Sequence, residues 1–387
     1  MSVVAIKGWC PGALRPMQSG DGLVVRIRPH GGRLDARQAA GIAELAERHG
    51  NGLIDLTSRA NLQIRGVSDG GLLPLTDVLA RLELLDQNPE SEARRNVLVT
   101  PFWTIGDDTC SIAAELERAL ASSPLDLPTK FGFAVDDGKE RRLAGASADV
   151  RIERDLVGEL IVRADGQALG RPVRRREAVQ VALALAEWFI ASGGAKGGRG
   201  RMAAHIGTGA RPPEALRGHA EPARLLAAPL PGLYPHGAML GAAFGQVPHS
   251  ALSYLASHAP ALRVTPWRMI LAEGLHAVPR CESFITQADD PVLRVVACSG
   301  APRCREAHAD TRALAAALAP HIAANVRLHV SGCAKGCAHS APASITLVAT
   351  SAGFDLVRGG STRDAPFLRG LSGTEIVADP SVLMGGH

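Results

Sequence analysis

The chain has 387 residues, enough for two or three domains whose cores need no covalent staples. Hydrophobic residues make up 46% and charged residues 21%, which excludes an intrinsically disordered chain, while 4% aromatic residues argue against a base-stacking nucleic-acid binder. The net charge of +4 is small and carried mainly by arginine, with lysine only at Lys7, Lys130, Lys139, Lys196 and Lys335.

The first elements read strand, helix, strand. "DGLVVRIRP" alternates as a strand, residues 35–50 have helical spacing from Asp35 to a terminating Gly50, and "GLIDLTSRANLQIRGV" returns as one strand. A helix follows over "GGLLPLTDVLARLELLD" and stops at Asn88–Pro89. Strand and helix patterns then alternate through "RNVLVTPF", "CSIAAELERALASS", "KFGFAVDD", "GELIVRAD" and "REAVQVALALAEWFIAS", as in a packed α/β domain. The glycine-rich "GGAKGGRGR" lacks the serine or threonine of a phosphate loop and reads as a flexible connection. Further on, "LRVTPWRMILAEGL" (Leu262–Leu275) aligns without a gap to "IDLTSRANLQIRGV" (Ile54–Val67), with Thr265 on Thr57 and Gly274 on Gly66. "PHSALSYLASHAP" stands where the earlier helix stood, so a duplicated half-domain is expected. A smaller α/β unit closes the chain, and its last twenty-five or so residues read as irregular wrapping. The expected division is 1–85, 90–215, 225–287 and 290–387. No segment near Met1 has the apolar core of a signal peptide, and the longest apolar run is broken by Glu187 and too short to span a bilayer. A cytoplasmic chain with reduced thiols and no membrane partner is expected.

Seven cysteines occur, and four share one format, Cys298-x5-Cys304 and then Cys333-x3-Cys337. Each pair follows a strand pattern, "LRVVAC" or "RLHVSGC", so both loops are expected at the same end of a parallel sheet. Gly300, Gly332 and Gly336 allow close backbone approach and supply amide donors to sulfur. Zinc knuckles use two to four intervening residues, so five is long for zinc. Four thiolates suit a 4Fe–4S cluster, whose wider cube tolerates that spacing. Zinc and unrelated core cysteines are the rivals. Cys110 and Cys281 read as small buried hydrophobes.

This cysteine format, with its glycines and "GCAHS" context, resembles the sirohaem-dependent sulfite and nitrite reductases and their relatives. The resemblance spans nearly the whole chain and implies an α/β (α+β) fold of three domains. Two ferredoxin-like half-domains, 1–85 and 225–287, would pair, beside a tetrapyrrole-binding domain over 90–215 and a cluster-bearing domain over 290–387. "TSRANLQIRG" places Arg59 and Gln63 on the macrocycle, "RPHGG" places Arg28, "RRNVLVTP" places Arg95 and "LPTKF" places Lys130. Guanidinium and ammonium groups are what a many-carboxylate ring demands. Two residues after Lys130, where the reductases carry a second lysine, stands Gly132. "CPGALRPMQSGDG" resembles one branch in particular, which keeps the fold and cluster but takes a tetrapyrrole as substrate. That branch implies an O2-dependent monooxygenase of cobalamin biosynthesis, hydroxylating precorrin-3A at carbon 20 with γ-lactone formation. Cys10 would belong to a branch-specific lid or to a buried turn.

The implied chemistry needs two electrons from outside, delivered by a donor protein or an NADH-linked reductase. It also implies a mononuclear non-haem iron whose ligands are unassigned among His30, His308, His321, His329 and His339, with His339 the first to test. The rival readings are a sirohaem sulfite or nitrite reductase, with Cys337 bridging cluster and haem, and a non-catalytic electron carrier or zinc scaffold.

Overall fold

The computed structural model describes residues 11–384, so Cys10 lies outside the described residues. Four five-stranded sheets organise them. The first is antiparallel and contains Met17–Ser19, Gly22–Ile27, Leu62–Val67 and Leu53–Leu56, with Gln246–Pro248 from the later half completing it. Its counterpart contains Gly232–Tyr234, Gly237–Gly241, Met269–Glu273 and Ala261–Val264, completed by Arg33–Asp35 from the earlier half. Each half therefore donates one short strand to the other's sheet. The helices Ala36–His49 and His249–His258 pack together between them, and Ile42, Ile54, Ile64, Leu252, Leu255, Leu262 and Ile270 share one core.

The two halves also repeat their unusual backbone. Gly31 and Phe244 have φ of 58° and 54°, Ala60 and Arg268 of 52° and 59°, and Gly66 and Gly274 of 71° and 70°. The expected single strand over residues 52–67 is instead a hairpin. Its turn is closed by Thr57, whose amide donates to Asn61 O at 2.9 Å and whose hydroxyl accepts from Asn61 N at 3.2 Å. The following helix is Asp69–Arg81, shorter than expected, and Asn88–Pro89 starts a short helix rather than only stopping one. Asn88 accepts from Ser91 N at 2.8 Å as the N-cap of Pro89–Arg94, with proline at the first turn where it lacks only an orphan donor.

The third sheet orders Arg171–Pro172, Leu160–Ala164, Val150–Arg154, Phe133–Asp136 and Val97–Val99, the last three strands parallel. Period-two alternation divides its faces. Val150, Ile152 and Val162 pack on the helices Asp108–Ser122 and Ala178–Ala191. Arg151, Glu153 and Arg163 form the other, ionic face, with Arg163 Nε 2.6 Å from Glu153 Oε1 and Arg151 Nε 2.8 Å from Asp165 Oδ1.

Asp136 ends the Phe133–Asp136 strand at 2% exposure, where burial raises its carboxyl to about 6 against the pull of the Leu143 and Arg142 amides. A raised folded pKa stabilises fully below the unfolded value near 3.8, and that contribution is lost as pH climbs through 6. Asp136→Asn is therefore expected to gain about 2–3 kcal/mol relative to the parent between pH 4 and pH 7. Denaturant unfolding at both pH values checks it, and parallel stability curves would refute it.

The fourth sheet runs Val295–Ala297, Leu328–Ser331 and Ala343–Thr350 in parallel, then Gly353–Gly360 and Leu368–Leu371 antiparallel. The carboxy-terminal residues are thus part of the fold rather than irregular wrapping. Leu368–Leu371 is an edge strand, and Ile376 of the helix Gly373–Ala378 and Leu383 enter the core. No helix among the described residues is long and apolar enough to cross a membrane.

Candidate functional site

Cys298 follows Val295–Ala297 and Cys333 follows Leu328–Ser331, and these neighbouring strands are parallel. Both cysteine loops therefore leave the same end of the sheet. The first is held from within by Cys304 N donating to Gly300 O at 2.8 Å and by Thr311 Oγ1 donating to Cys298 O at 2.7 Å. Gly300 has φ of 63°, and a Cβ there would meet Thr311 at 2.7 Å. The second loop is fixed by Ser331 Oγ donating to Cys333 O at 2.7 Å and Thr362 Oγ1 donating to Ala334 O at 2.9 Å. His308 N donates to Gly332 O at 2.9 Å, and Gly332 N donates to Cys298 Sγ at 3.2 Å, so the loops are tied to each other.

The four thiols act on one another. Burial pushes the Cys337 thiol up, and the charges of Cys333, Cys298 and Cys304 add to that rise. Cys333 is likewise raised first by burial, eased by the Lys335 amide, and raised again by Cys304 and Cys298. Among the described residues, no three His, Cys, Asp or Glu side chains close on one point as a single metal ion requires.

The arginines fall into two groups. Arg59 is half-buried and its Nη2 lies 3.4 Å from Ser147 Oγ, which Arg201 Nη1 also reaches at 2.9 Å. Arg201 Nε in turn donates to the fully buried Asp149 at 2.9 Å, and Asp149 accepts from Gly132 N at 3.0 Å. Arg59 is thereby linked to the Lys130–Gly132 segment, where Lys130 is exposed. A Cβ at Gly132 would come within 3.1 Å of Asn96 O, so a side chain there requires its neighbour to give by a few tenths of an ångström.

Arg28 and Arg95 stand apart from this group. Arg28, 6% exposed, pairs with Glu92 at 3.2 Å, and Glu92 also accepts from the amides of Ala13 and Leu14. Arg95, 4% exposed, forms a two-pronged pair with Asp86 at 2.8 Å on both prongs. Both guanidiniums expected on a macrocycle thus already hold a protein carboxylate. Gln63 is half-buried, and with its amide oxygen turned toward Arg26 it accepts from Nε at 3.1 Å and Nη2 at 2.8 Å.

Residues 15–82 match the nitrite/sulfite reductase ferredoxin-like half domain. The structure of the Mycobacterium tuberculosis NirA protein superposes with a TM-score of 0.62 at 17% identity, over 92% of this chain and 79% of that one. At that identity the likeness speaks for the fold. A precorrin-3B synthase of a Sinorhizobium species is 30% identical over 395 residues, spanning 93% of this chain and 84% of its own length. The chain belongs to the precorrin-3B synthase family.

In this member of the precorrin-3B synthase family, the cysteine loops are also gripped from the amino-terminal half. Arg303 O, one residue before Cys304, accepts from Ser19 Oγ at 2.8 Å, Gly20 N at 3.0 Å and Arg65 Nη2 at 3.3 Å. Arg65 is itself held by Asp21 at 2.8 Å and Asp55 at 3.2 Å. Asp55 further binds Arg312 at 3.2 Å and Gln246 at 3.1 Å. On the other side, Arg268 Nη2 donates to Ala338 O at 3.0 Å, beside Cys337. His329 and His339 lie close by with ring centroids 5.7 Å apart, and burial lowers His329 to about 4, aided by the charges of His339 and Arg268.

The reading of the sequence had named His329 and His339, but Asp55, Arg65, Arg268 and Arg312 escaped it, although signals for two of them were present. Asp55 is a lone charge in the apolar strand "LIDL", and Arg268 falls on Ala60 in the repeat alignment, where one half is charged and the other is not.

The donor set fits a four-thiolate iron–sulfur centre. It is all sulfur, and it has an amide already directed at Cys298.

Proposed function

We propose that this chain is an oxygen-dependent precorrin-3B synthase that hydroxylates precorrin-3A at carbon 20, with an acetate side chain closing the γ-lactone. The observation that carries the reading is the 30% identity to the Sinorhizobium enzyme of that name over nearly the full length of both chains. One oxygen atom enters the product, and the other leaves as water on receipt of two electrons and two protons. Cys298, Cys304, Cys333 and Cys337 would hold a 4Fe–4S cluster, which supplies single-electron transfer when bound. The electrons originate with a donor protein or an NADH-linked reductase in the cytoplasm.

The chain's own residues bind and orient. Arg59 and the exposed Lys130 offer cationic groups to the peripheral carboxylates of the ring, while Ser147, Asp149 and Arg201 fix the frame on which they stand. Arg28 and Arg95, through Glu92 and Asp86, hold the loops from which such contacts are made. The mononuclear iron is an expectation of the family resemblance, for which His308, His329 and His339 are the candidate imidazoles nearest the cysteine loops. The reductase alternative calls for a second lysine at the position where this chain has Gly132.

The test is anaerobic purification, iron and sulfide analysis, and incubation with precorrin-3A under 18O2 or without oxygen. One labelled oxygen in an oxygen-dependent product is expected. Sirohaem in the purified protein, with six-electron reduction of sulfite or nitrite, would overturn the reading. Arg59→Ala is expected to weaken precorrin-3A binding tenfold or more, since a hydrogen bond to a charged group contributes about 1.5–3 kcal/mol. Its iron–sulfur absorbance should be unchanged in the same titration. Unaltered affinity would remove Arg59 from the binding surface.

A further inference from the structure

Arg268 has a placement that the fold alone does not explain. It occupies the turn between the strands Ala261–Val264 and Met269–Glu273 with φ of 59°, a conformation that disfavours any residue with a Cβ and costs about 1–3 kcal/mol. Ala60, its counterpart in the first half, makes the same turn at φ 52° with a methyl group, so the turn has no need of a guanidinium. The arginine stem runs beside Gly245, whose φ of 73° is matched by 69° at Gly32 in the first half. A Cβ on Gly245 would lie 2.9 Å from Arg268 Cδ and 3.1 Å from its Cγ, so glycine there leaves the stem its path. At its end, Nη2 donates to Ala338 O, in the segment between Cys337 and His339.

The local charge is unbalanced. Among the described residues, no carboxylate stands within ion-pair distance of Arg268, whereas Arg65 has Asp21 and Asp55, and Arg312 has Asp55. Three guanidiniums meet two carboxylates, which leaves one positive charge. Asp55 attracts Arg268 from a distance and Arg312 repels it, and burial together with that repulsion pushes its pKa down from the ordinary arginine value. A half-buried cation with no acid of its own is costly unless an anion stands nearby. Its one side-chain hydrogen bond among the described residues, to Ala338 O, points it at the cysteine loop, where a cluster bound by four thiolates would carry negative charge.

We propose that Arg268 is the counter-cation of the four-cysteine centre, raising the reduction potential of the cluster held there and anchoring the Cys337–His339 segment through Ala338. This rests on the reading that the four thiols hold a 4Fe–4S cluster. Positive charge and hydrogen bonds near the sulfurs favour the more negative, reduced form. Arg268 is thus a positioning and charge-balancing residue, and its effect is on the potential.

The experiment reconstitutes wild type, Arg268→Gln, Arg268→Lys and Arg312→Gln with iron and sulfide, and follows each by EPR during a potentiometric titration. Arg268→Gln is expected to shift the midpoint to more negative potential with iron and sulfide content unchanged. Arg268→Lys, which keeps the charge, should stay near wild type, and Arg312→Gln should shift in the same direction by less. An Arg268→Gln protein with full iron content and the wild-type midpoint overturns the proposal. Should Arg268→Gln fail to assemble, Arg268→Met, which keeps the apolar stem, decides it: a wild-type midpoint overturns the proposal and a negative shift supports it. A wild-type protein that takes up no iron and sulfide removes the four-thiol reading itself, and this proposal with it.

Discussion

Cys333→Ser is expected to eliminate bound iron and sulfide, with complete loss of the visible absorbance of the reconstituted protein. The substitution is nearly isosteric, and the loop around it is held by bonds that do not involve the thiol: Ser331 Oγ to Cys333 O and Thr362 Oγ1 to Ala334 O. Thermal stability before reconstitution should therefore stay close to that of the parent. What changes is the donor, from a soft thiolate to a hydroxyl that binds iron poorly at neutral pH. Cys110→Ser is the control. Cys110 is exposed on the helix Asp108–Ser122, not buried as its sequence context suggested, and no other cysteine acts on its thiol. It should retain full iron and sulfide. Wild-type iron content in Cys333→Ser would dismiss the four-thiol centre outright.

The placement of the two cysteine loops was the most legible part of the chain, because its signal is local. Two cysteine pairs each follow a strand pattern, and parallel strands carry both loops to one sheet end. The duplicated half-domain was legible for a similar reason, as matched turns leave matched residues at Thr57 and Thr265 and at Gly66 and Gly274. The exchange of strands between halves was not. Arg33–Asp35 and Gln246–Pro248 are three residues each, and their partners lie some two hundred positions away, so nothing in the local pattern announces them. The hairpin at residues 53–67 was missed because Ala60 makes the turn at positive φ without a glycine or asparagine to mark it. In the site, the sequence identified arginines but not their partners. An arginine held by a buried aspartate and one facing a ligand are the same letter.

The diverged loops of the two halves show what the duplication achieved. In the first half, Gly31 N and His30 Nδ1 meet Glu117 at 3.0 and 2.6 Å, which docks that turn on the central unit. In the second half the equivalent turn carries Phe244, whose ring packs against the core of the cysteine-bearing unit. One backbone shape has thus been used twice, with side chains that select different neighbours. The same holds for the hairpin turns, where Arg59 reaches Ser147 of the central unit and Arg268 reaches Ala338 of the cysteine loop. The paired half-domains act as a frame that sets Arg59 on the central unit and the cysteine loops relative to each other.

Asp86→Ala is expected to destabilise the protein by about 3–5 kcal/mol, the usual penalty for stranding one member of a buried ion pair. Arg95 would keep only Glu117, at 3.9 Å and without a hydrogen bond, in a place where its side chain is 3% exposed. Arg95→Ala should cost a similar amount, since Asp86 would then be stranded at 7% exposure. The double substitution Asp86→Leu with Arg95→Met should recover most of the loss, because an apolar pair of similar volume replaces such a bridge at little net cost. Denaturant unfolding of the ligand-free protein measures all three. The result discriminates between the two roles open to Arg95, since a residue that grips a macrocycle would show wild-type stability and lost affinity when truncated. A residue that closes the seam between Asp86 and the central helix shows the reverse, and recovery in the double variant is the signature that a ligand contact cannot reproduce. Stability changes below about 1 kcal/mol in both single variants would return Arg95 to the binding surface.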